Sequence, residues 1–449
     1  MRTITAGQVR SARDGERHEP SGLYRASVQR SRRPNPRDPT LGADSLYTSR
    51  MRPETFTSKE YGELRKEPGN KWAFWYFEPK RIPRSVTLSS ETIYALSQAD
   101  ASLGRLAGVG RLLPNPTLLI NPFLTREAVA SSRIEGTEAS ISEVFQAEIT
   151  GSQEDSDVFE VQNYIKAMRR GIELLEDLPL SQRMIKEVHS ILLSGVRGAN
   201  KRPGEFRETP VWVGSPTDSP ENATFVPVLP TRLQDPISDW EYFANEDHRV
   251  PDLVKCALLH YQFETIHPFL DGNGRLGRLL IVFYLMKQDR LPTPLLYLSA
   301  YLESHRREYY DRLQAVRERG EIQEWIQFFL TAVARQADDA VRRTDALVDL
   351  REQYRTALAG SRNRAGELID LLFVNPLITT RRVERQLTVT NQGALNLIRV
   401  FEDKGWLART GSLGPGGRIT WYATEILDVM SDASAFTGEE GAATEKTQS

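Results

Sequence analysis

The sequence predicts a mainly α-helical protein with one small β-hairpin and a C-terminal winged helix-turn-helix. Apolar residues recur at three- and four-residue spacing through Val158–Leu175, Ser181–Leu193 and Pro251–Phe263, which is the period of an amphipathic helix. Strand-like runs are few and short. The length of 449 residues corresponds to roughly three domains of ordinary size.

Shifts in composition divide the chain into six segments. The first is rich in Arg, Ser, Pro and Gly without a sustained apolar period, which is typical of disorder. We predict, in order, a disordered tail (1–55), an N-terminal helical region (56–150), a catalytic core (151–335), a helical connector (336–361), a winged-helix domain (362–430) and a second disordered tail (431–449).

The C-terminal domain shows three helical pieces followed by a Gly/Pro turn between two β-prone runs. This order is typical of a winged helix-turn-helix, and the module binds either DNA or protein. A DNA reader needs several phosphate contacts, and the basic footprint here is sparse, which favours protein docking or homodimer contacts. The relevant side chains are Asn391, Gln392, Asn396 and Arg399, opposed by Glu402 and Asp403, with Arg409 and Arg418 on the wing.

The composition excludes several classes of protein. A net charge of −2 gives no general electrostatic case for nucleic-acid binding. The single cysteine, Cys256, has no partner for an internal disulfide or a zinc site, so we expect a reducing, cytoplasmic location. No apolar run reaches the length of a membrane span and no secretory core segment is present, so no membrane association is expected.

The segment from His267 to Arg278, HPFLDGNGRLGR, combines residues suited to binding a polyphosphate. His267 can accept a proton near neutral pH, and Asp271 offers a hard oxygen ligand that suits Mg²⁺. The apolar run Arg278–Gln288 that follows predicts a helix. Its N-terminal N–H groups would face the same anion.

Small and basic residues complete this loop. Gly272 and Gly274 lack a Cβ, so their backbone N–H groups can approach an anion closely, and Asn273 tolerates unusual backbone angles between them. Arg275 and Arg278 lie three apart, on one side of a helical turn, and offer forked donors for phosphate oxygens. A glycine-rich turn alone is weak support for a polyphosphate site, but here the basic, acidic and small residues converge in one loop.

The loop matches the signature of Fic domain proteins position for position, and the chain is therefore identified as a member of that family. Members with this signature are typically protein adenylyltransferases, which transfer AMP from ATP to a hydroxyl of a target protein. The resemblance implies an all-helical Fic core with a small hairpin flap. The matching residues are His267, Pro268, Phe269, Asp271, Gly272, Asn273, Gly274, Arg275 and Arg278.

The resemblance also assigns roles within the loop. It implies that His267 is the base that deprotonates the target hydroxyl and that Asp271 is the Mg²⁺ ligand. Asn273 would surround the phosphates of ATP together with the loop amides. The outer phosphates would be held by Arg275 and Arg278.

Two further segments resemble parts of Fic proteins. Val211, Trp212, Val213 and Gly214, followed by a second β-prone run at Ala223–Val228, resemble the flap hairpin that binds an extended target segment by strand addition. Tyr309 and Tyr310 are candidates for the adenine side of the nucleotide pocket. Two aromatic residues on a helix are equally typical of a core.

A second motif indicates how the loop is controlled. The segment from Ser131 to Gly136, SSRIEG, matches the inhibitory Fic signature and precedes the core. The resemblance implies that Glu135 pairs with Arg278. A carboxylate there takes the donors that the γ-phosphate of ATP needs.

Three functional interpretations remain open at the level of the sequence. The first is a protein adenylyltransferase inhibited by Glu135, with self-modification as an expectation. The second is removal of AMP, or transfer of another nucleotide or a phosphoryl group; Gly274 argues against the phosphorylating relatives, which carry a bulkier residue there. The third is a DNA-binding regulator whose Fic core senses nucleotide, against which an intact His267 argues. The target protein and the modified residue type, Tyr, Ser or Thr, are not encoded in any pattern.

Overall fold

A computed structural model describes most of the chain and confirms the mainly α-helical fold. The described residues are 3–5, 51–66, 74–112, 117–151, 155–214, 219–247, 249–360, 364–413 and 418–431. The two predicted disordered tails therefore lie largely outside the described residues. Within these ranges, no helix combines the length and the apolar character needed to cross a lipid bilayer.

The N-terminal region consists of a short hairpin and three helices. Strands β2 (Gly62–Lys66) and β3 (Trp75–Pro79) pair in antiparallel orientation. They precede helices α1 (Ser90–Leu112), α2 (Thr117–Ile134) and α3 (Ile141–Thr150). Helix α3 begins at a capping box in which the Ser140 and Glu143 side chains satisfy each other's backbone N–H groups, as expected for this spacing.

The central region contains the helices that position the candidate site. Helices α7 and α8 are buried along nearly their whole length because other helices surround them, so they lack the polar face of a surface helix. The helices of this region are α4 (Ser156–Asp177), α5 (Gln182–Leu192), α6 (Gln234–Asn245), α7 (Asp252–Ile266), α8 (Asn273–Lys287), α9 (Ser299–Ser304) and α10 (Arg306–Arg319).

A single long helix, α11 (Ile322–Ala357), replaces the separate connector that the sequence predicts. Its first half packs within the core, where the Trp325 indole N–H donates to the Ala257 carbonyl oxygen over 2.9 Å. Residues 336–357 of the predicted helical connector, 336–361, form the second half of this helix. The helix continues because neither Gly nor Pro interrupts it.

The C-terminal region has the element order that the winged-helix prediction requires. Two antiparallel pairings give a three-stranded sheet of order β5–β7–β6. Order alone does not establish the assignment, so the winged helix stays a prediction. The elements are α12 (Ala365–Val374), β5 (Leu377–Ile378), α13 (Thr380–Leu387), α14 (Asn391–Asp403), β6 (Ala408–Leu413), β7 (Arg418–Tyr422) and α15 (Thr424–Met430).

The predicted flap hairpin is present only in part. Strand β4 (Val211–Val213) forms, but the second run makes a single bridge, Val213 to Phe225. The Val226 carbonyl oxygen instead accepts the N–H of Phe77 in β3 over 2.9 Å, and Pro227 has no N–H to donate. The other edge of β4 pairs in antiparallel orientation with β1 (Thr3–Thr5), inside the predicted disordered tail.

The C-terminal region packs directly against helix α2. The Asn121 side chain on α2 donates to the Val374 carbonyl oxygen over 2.9 Å. Asn375 is fully buried and donates to the Phe145 carbonyl oxygen at 3.2 Å and to Glu148 Oε2 at 3.0 Å, while its Oδ1 accepts the Leu377 N–H. The α2–α3 segment and the C-terminal region therefore share a buried polar contact.

We expect Asn375→Ala to lower the free energy of unfolding by about 1–3 kcal/mol, because it leaves buried backbone groups of Phe145 and Leu377 without hydrogen bonds. Urea denaturation monitored by circular dichroism measures this change. The exposed Asn391, replaced by Ala, is the control. Equal unfolding midpoints for the two variants would contradict the expectation.

Candidate functional site

The site is built at the corner between α7 and α8. Helix α7 ends at Ile266, and His267 adopts a left-handed conformation with φ 51°. Gly272 also has a positive φ of 78°, and helix α8 begins at the next residue, upstream of the predicted start at Arg278. A left-handed conformation costs a non-glycine residue energy, so the corner needs support from surrounding contacts.

The Asn273 side chain provides part of that support. Its Oδ1 accepts the Phe269 N–H at 2.9 Å and its Nδ2 donates to the Phe269 carbonyl oxygen at 3.0 Å. The Phe269 ring stacks on His189 with 3.7 Å between ring centroids. Asn273 also lines the pocket, and both polar atoms of its side chain hold the loop through Phe269.

Arg207 fixes the other side of the corner. Its Nε donates to the His267 carbonyl oxygen over 2.8 Å, and its backbone N–H donates to the Pro268 carbonyl oxygen over 2.9 Å. The side chain is buried, and burial lowers its pKa to about 9. Strand β4 begins four residues later, so Arg207 ties the flap to the loop that carries His267.

The His267 imidazole is held in its neutral form. The side chain is buried, its Nδ1 lies 3.3 Å from the Glu264 carbonyl oxygen, and burial, aided by Arg207, lowers its pKa to about 3. With the proton on Nδ1, which donates to that carbonyl, Nε2 carries the lone pair. Nε2 is then the atom that can accept a proton.

Arg278 and Glu135 form the ion pair that the sequence predicts. Arg278 Nη2 lies 2.8 Å from Glu135 Oε1, and the two side chains are 1% and 12% exposed. Arg278 Nε also donates to Ser131 Oγ at 2.8 Å, and Nη2 donates to the Ser131 carbonyl oxygen at 2.9 Å. Although burial would raise the pKa of Glu135, nearby positive charges that include Arg278 hold it well below its usual range.

Arg275 has a partner that the sequence does not reveal. Its Nη1 lies 3.2 Å from Glu160 Oε2, and both side chains are almost fully buried. Arg197 Nη2 lies 3.3 Å from the same oxygen. Arg275 still lines the pocket, where the sequence predicts that it helps to hold the outer phosphates, and its guanidinium also pairs with Glu160.

Asp271 lies at the edge of the pocket with its side chain 26% exposed. Its Oδ1 accepts the Gly272 N–H over 2.7 Å. Among the described residues, no group of three or more His, Cys, Asp and Glu side chains is arranged to hold a metal ion. One carboxylate fits Mg²⁺, which usually takes one or two protein ligands and completes its shell with phosphates and water.

A cavity joins these residues, with an empty volume of about 330 Å³ that includes space open to solvent. Tyr309 is buried with its hydroxyl 2.8 Å from His260 Nε2, and it lies against Tyr310 with ring centroids 5.0 Å apart. Both line the cavity. The lining residues are Glu135, Glu264, His267, Asp271, Gly272, Asn273, Gly274, Arg275, Arg278, Tyr309 and Tyr310.

The flap residues lie beside this cavity and outside its lining. Val211, Trp212 and Val213 are buried, and the Phe225 ring that bridges to β4 lies 3.8 Å below the guanidinium of Arg317. Arg317 Nε donates to Thr265 Oγ1 over 3.1 Å, two residues before His267. The flap and the loop are therefore mechanically linked.

Glu264 belongs to the cavity lining but is missing from the sequence prediction. It lies three residues before His267, a spacing that would place both residues on one face of a continuous helix, although the helix ends at Ile266. This spacing is the sequence feature from which Glu264 could be predicted as a site residue. A glutamate on an apolar helix is unusual, whereas the loop motif begins only at His267.

Two protein-family models match parts of this chain. The model described as "Fic/DOC family N-terminal" matches residues 93–173, and the "Fic/DOC family" model matches residues 179–285. The chain is similar to protein adenylyltransferase Fic of Culex quinquefasciatus, with 33% identity over 137 residues. This match covers 30% of the chain and 24% of that relative. The equivalent protein of Aedes aegypti is 31% identical over 156 residues, 34% of the chain and 28% of the relative.

Solved structures with similarity to this chain are also Fic proteins. A Fic family protein from Desulfovibrio desulfuricans G20 shows a TM-score of 0.49 and 20% identity, covering 75% of this chain and 97% of that chain. Fic-1 from C. elegans, residues 134–508, shows a TM-score of 0.42 and 18% identity over 58% of this chain and 73% of that chain. The chain spans about a quarter of the length of the curated relatives it matches.

We expect the pH dependence of stability to depend on the buried His260, whose pKa is lowered to about 3 by burial. At pH values between the unfolded pKa of about 6.5 and the folded pKa of about 3, His260 binds a proton in the unfolded chain but not in the folded chain. Stability is therefore lost as the pH falls through this window, by about 1.4 kcal/mol per pH unit.

His260→Gln should reduce this slope by about that amount. Urea unfolding at a series of pH values from about 6.5 down to 4 measures the slope, which is separate from any uniform loss of stability caused by the substitution. Equal slopes for the wild type and the variant would contradict the neutral state of His260.

Proposed function

This chain carries the Fic/DOC N-terminal domain and the Fic/DOC domain, and we propose that it transfers AMP from ATP to a hydroxyl side chain of a target protein and is inhibited by Glu135. The observation that carries the proposal is one cavity that contains a neutral histidine, the N-terminus of a buried helix and an arginine paired with a removable carboxylate. Protein adenylyltransferase relatives support the same reaction class.

The proposed reaction needs little from the protein beyond positioning and one proton acceptor. The target hydroxyl oxygen attacks the α-phosphorus of ATP, the bond between the α- and β-phosphates breaks, and pyrophosphate leaves. The hydroxyl proton goes to His267 Nε2. Because burial keeps His267 neutral at physiological pH, the base is available without prior deprotonation.

Helix α8 and the loop before it supply the phosphate-binding groups. The first N–H groups of the helix, at Asn273, Gly274 and Arg275, have no partners within the helix and carry its positive dipole end. Asp271 would hold Mg²⁺, which would neutralise charge on the phosphates. Gly274 keeps this surface open, because an added Cβ would collide with the Glu135 carboxylate.

Glu135 inhibits by occupying the donors that the outer phosphates need. Arg278 donates hydrogen bonds from Nη2 to Glu135 and from Nε to Ser131. A γ-phosphate would therefore have to displace the Glu135 carboxylate. Each tenfold of inhibition requires only about 1.4 kcal/mol of preference for the paired state. A partly buried ion pair is sufficient for that preference.

The edge of β4 opposite the bridge to Phe225 is suited to docking an extended target segment by strand addition. This edge already accepts an extended segment, since β1 pairs with it through Thr3, Ile4 and Thr5. The contacts of Arg207 and Arg317 hold the flap beside His267. A hydroxyl on a segment bound there would be carried towards the base, which also makes self-modification an expected side reaction.

Two further proposals concern the cellular location of the protein and the partner of its C-terminal domain. We propose a cytoplasmic location because the lone Cys256 is buried and burial raises its pKa, so the thiol is inert. For the C-terminal domain we propose a protein partner. The exposed residues of α14 comprise Asn391, Gln392, Asn396 and Arg399 together with the acidic Asp403, which opposes binding to phosphates.

We expect Glu135→Gly to raise incorporation of α-labelled AMP into protein at least tenfold, because Arg278 is then available to ATP. The combined variant Glu135→Gly with His267→Ala should lose this label while retaining ATP binding. Autoradiography of the purified protein and of a lysate treated with it measures incorporation.

Glu138→Gly, three residues away and exposed, is the matched control and should behave as the wild type. No incorporation by the Glu135→Gly variant into any protein would overturn the proposed transfer. Loss of label from a previously modified target, dependent on Glu135, would instead support removal of AMP by water.

We expect removal of residues 1–5 in the Glu135→Gly background to raise transfer to added target proteins, because β1 and the target compete for the same edge of β4. The affinity for ATP should stay unchanged, since the strand pairing involves the flap and leaves the phosphate loop intact. Labelling of lysate proteins and calorimetric titration with ATP separate the two effects. Reduced labelling would show that β1 supports the flap instead of blocking it.

A further inference from the structure

Glu264 is a buried carboxylate in the candidate site that the proposed mechanism does not use. The residue is 8% exposed and lines the same cavity as Glu135, His267 and Arg278. Its Oε1 is buried and accepts no hydrogen bond within the described part of the chain. Buried polar atoms are nearly always hydrogen-bonded, so an unsatisfied carboxylate oxygen in a ligand cavity calls for a ligand.

The close approach of α7 and α8 places Glu264 against the phosphate-binding helix. Its Oε1 lies beside Gly277, where an added Cβ would collide with it. Gly277 belongs to the second turn of α8, next to Arg278. The carboxylate therefore lies on the side of the cavity where Arg278 would receive the outer phosphates.

The charges around Glu264 come from several elements and only partly cancel. Burial, together with the Glu135 carboxylate, raises the pKa of Glu264 to about 7, against the lowering effect of Arg278 and Arg317. Tyr309 on α10 also faces this carboxylate, and burial raises the pKa of its hydroxyl. His267 is neutral for the reason given above.

A triphosphate cannot lie beside an ionised Glu264 without like-charge repulsion. A protonated carboxyl group, in contrast, is a hydrogen-bond donor that a phosphate oxygen can use. The proton would come from solvent and would remain on the carboxyl oxygen, so no bond of the nucleotide is broken. Binding of the polyanion and protonation of Glu264 then favour each other.

We propose that Glu264 takes up a proton when the nucleotide triphosphate binds and donates a hydrogen bond to one of its outer phosphates. The inference rests on the proposed function, because it assumes that the cavity binds ATP. It makes Glu264 a binding residue for the nucleotide. It also explains how Arg278 can bind a phosphate although the Glu264 carboxyl group lies close to it.

The test is calorimetric titration of the Glu135→Gly variant with a non-reactive ATP analogue and Mg²⁺, in two buffers of different ionisation enthalpy. The difference in heat gives the number of protons taken up. At a pH of about 8, where Glu264 is mostly ionised before binding, we expect uptake that approaches one proton. At a pH of about 6, where more of Glu264 is already protonated before binding, we expect less uptake than at pH 8.

Glu264→Gln keeps a donor of the same shape without a titrating group. In the Glu135→Gly background it should bind the analogue within a few-fold of the parent at pH 6 and lose the extra proton uptake at pH 8. Glu264→Ala should bind more weakly at both pH values, since it has no donor. Thermal melting verifies that both variants are folded, and Glu138→Gln is the matched control.

The outcomes separate this inference from the proposed function. Equal proton uptake in the parent and in Glu264→Gln would overturn the role of Glu264 and leave ATP binding intact. Failure of the Glu135→Gly parent to bind the analogue at all would overturn the proposed function and the inference with it.

Discussion

The ion pair between Arg278 and Glu135 is the interaction on which the rest of the site depends. A guanidinium that is 1% exposed has lost its hydration, and only paired and hydrogen-bonded charges persist in such surroundings. Ser131 supplies the remaining acceptors from one turn earlier in the same segment. Because an arriving phosphate offers the same kind of oxygen, it can replace Glu135 without leaving Arg278 unpaired. The proposed inhibited and active arrangements are therefore two ways to satisfy one buried cation.

The corner between α7 and α8 keeps this exchange local. The two helices are buried on all sides, so a movement of either would disturb the packing of the whole core. Arg207 and Asn273 use buried hydrogen bonds to hold the loop between them, including the left-handed His267. The base and the phosphate-binding amides are thus fixed before any ligand arrives. Preorganised groups of this kind lose no energy to rearrangement when charge develops on a substrate.

The loop and the helical fold could be predicted from the sequence because each is encoded in contiguous residues, and the Glu135–Arg278 pair could be predicted because each partner lies in a recognisable motif. Contacts between distant segments that carry no motif could not be predicted. The pairing of Arg275 with Glu160 joins residues 115 positions apart, and the sequence around Glu160 has no feature that distinguishes it from a surface glutamate. The second flap strand was predicted from a β-prone run, but Pro227 and the competing edge of β3 prevent its pairing with β4. Glu264 was missed because its burial depends on Gly277 of the neighbouring helix.

The position of Glu135 at the end of α2 limits how the proposed inhibition can be relieved. Moving the whole helix would break the Asn121–Val374 hydrogen bond, the ion pair between Arg126 and Asp339 at 3.3 Å, and a run of buried residues that face the core and the C-terminal region. Glu135, however, follows the last helical residue and precedes Gly136, which has φ 90° and an exposed surface. A glycine changes backbone conformation at little steric cost. The carboxylate can therefore leave Arg278 through a local change at residues 135–136, while the contacts between α2 and the C-terminal region stay intact.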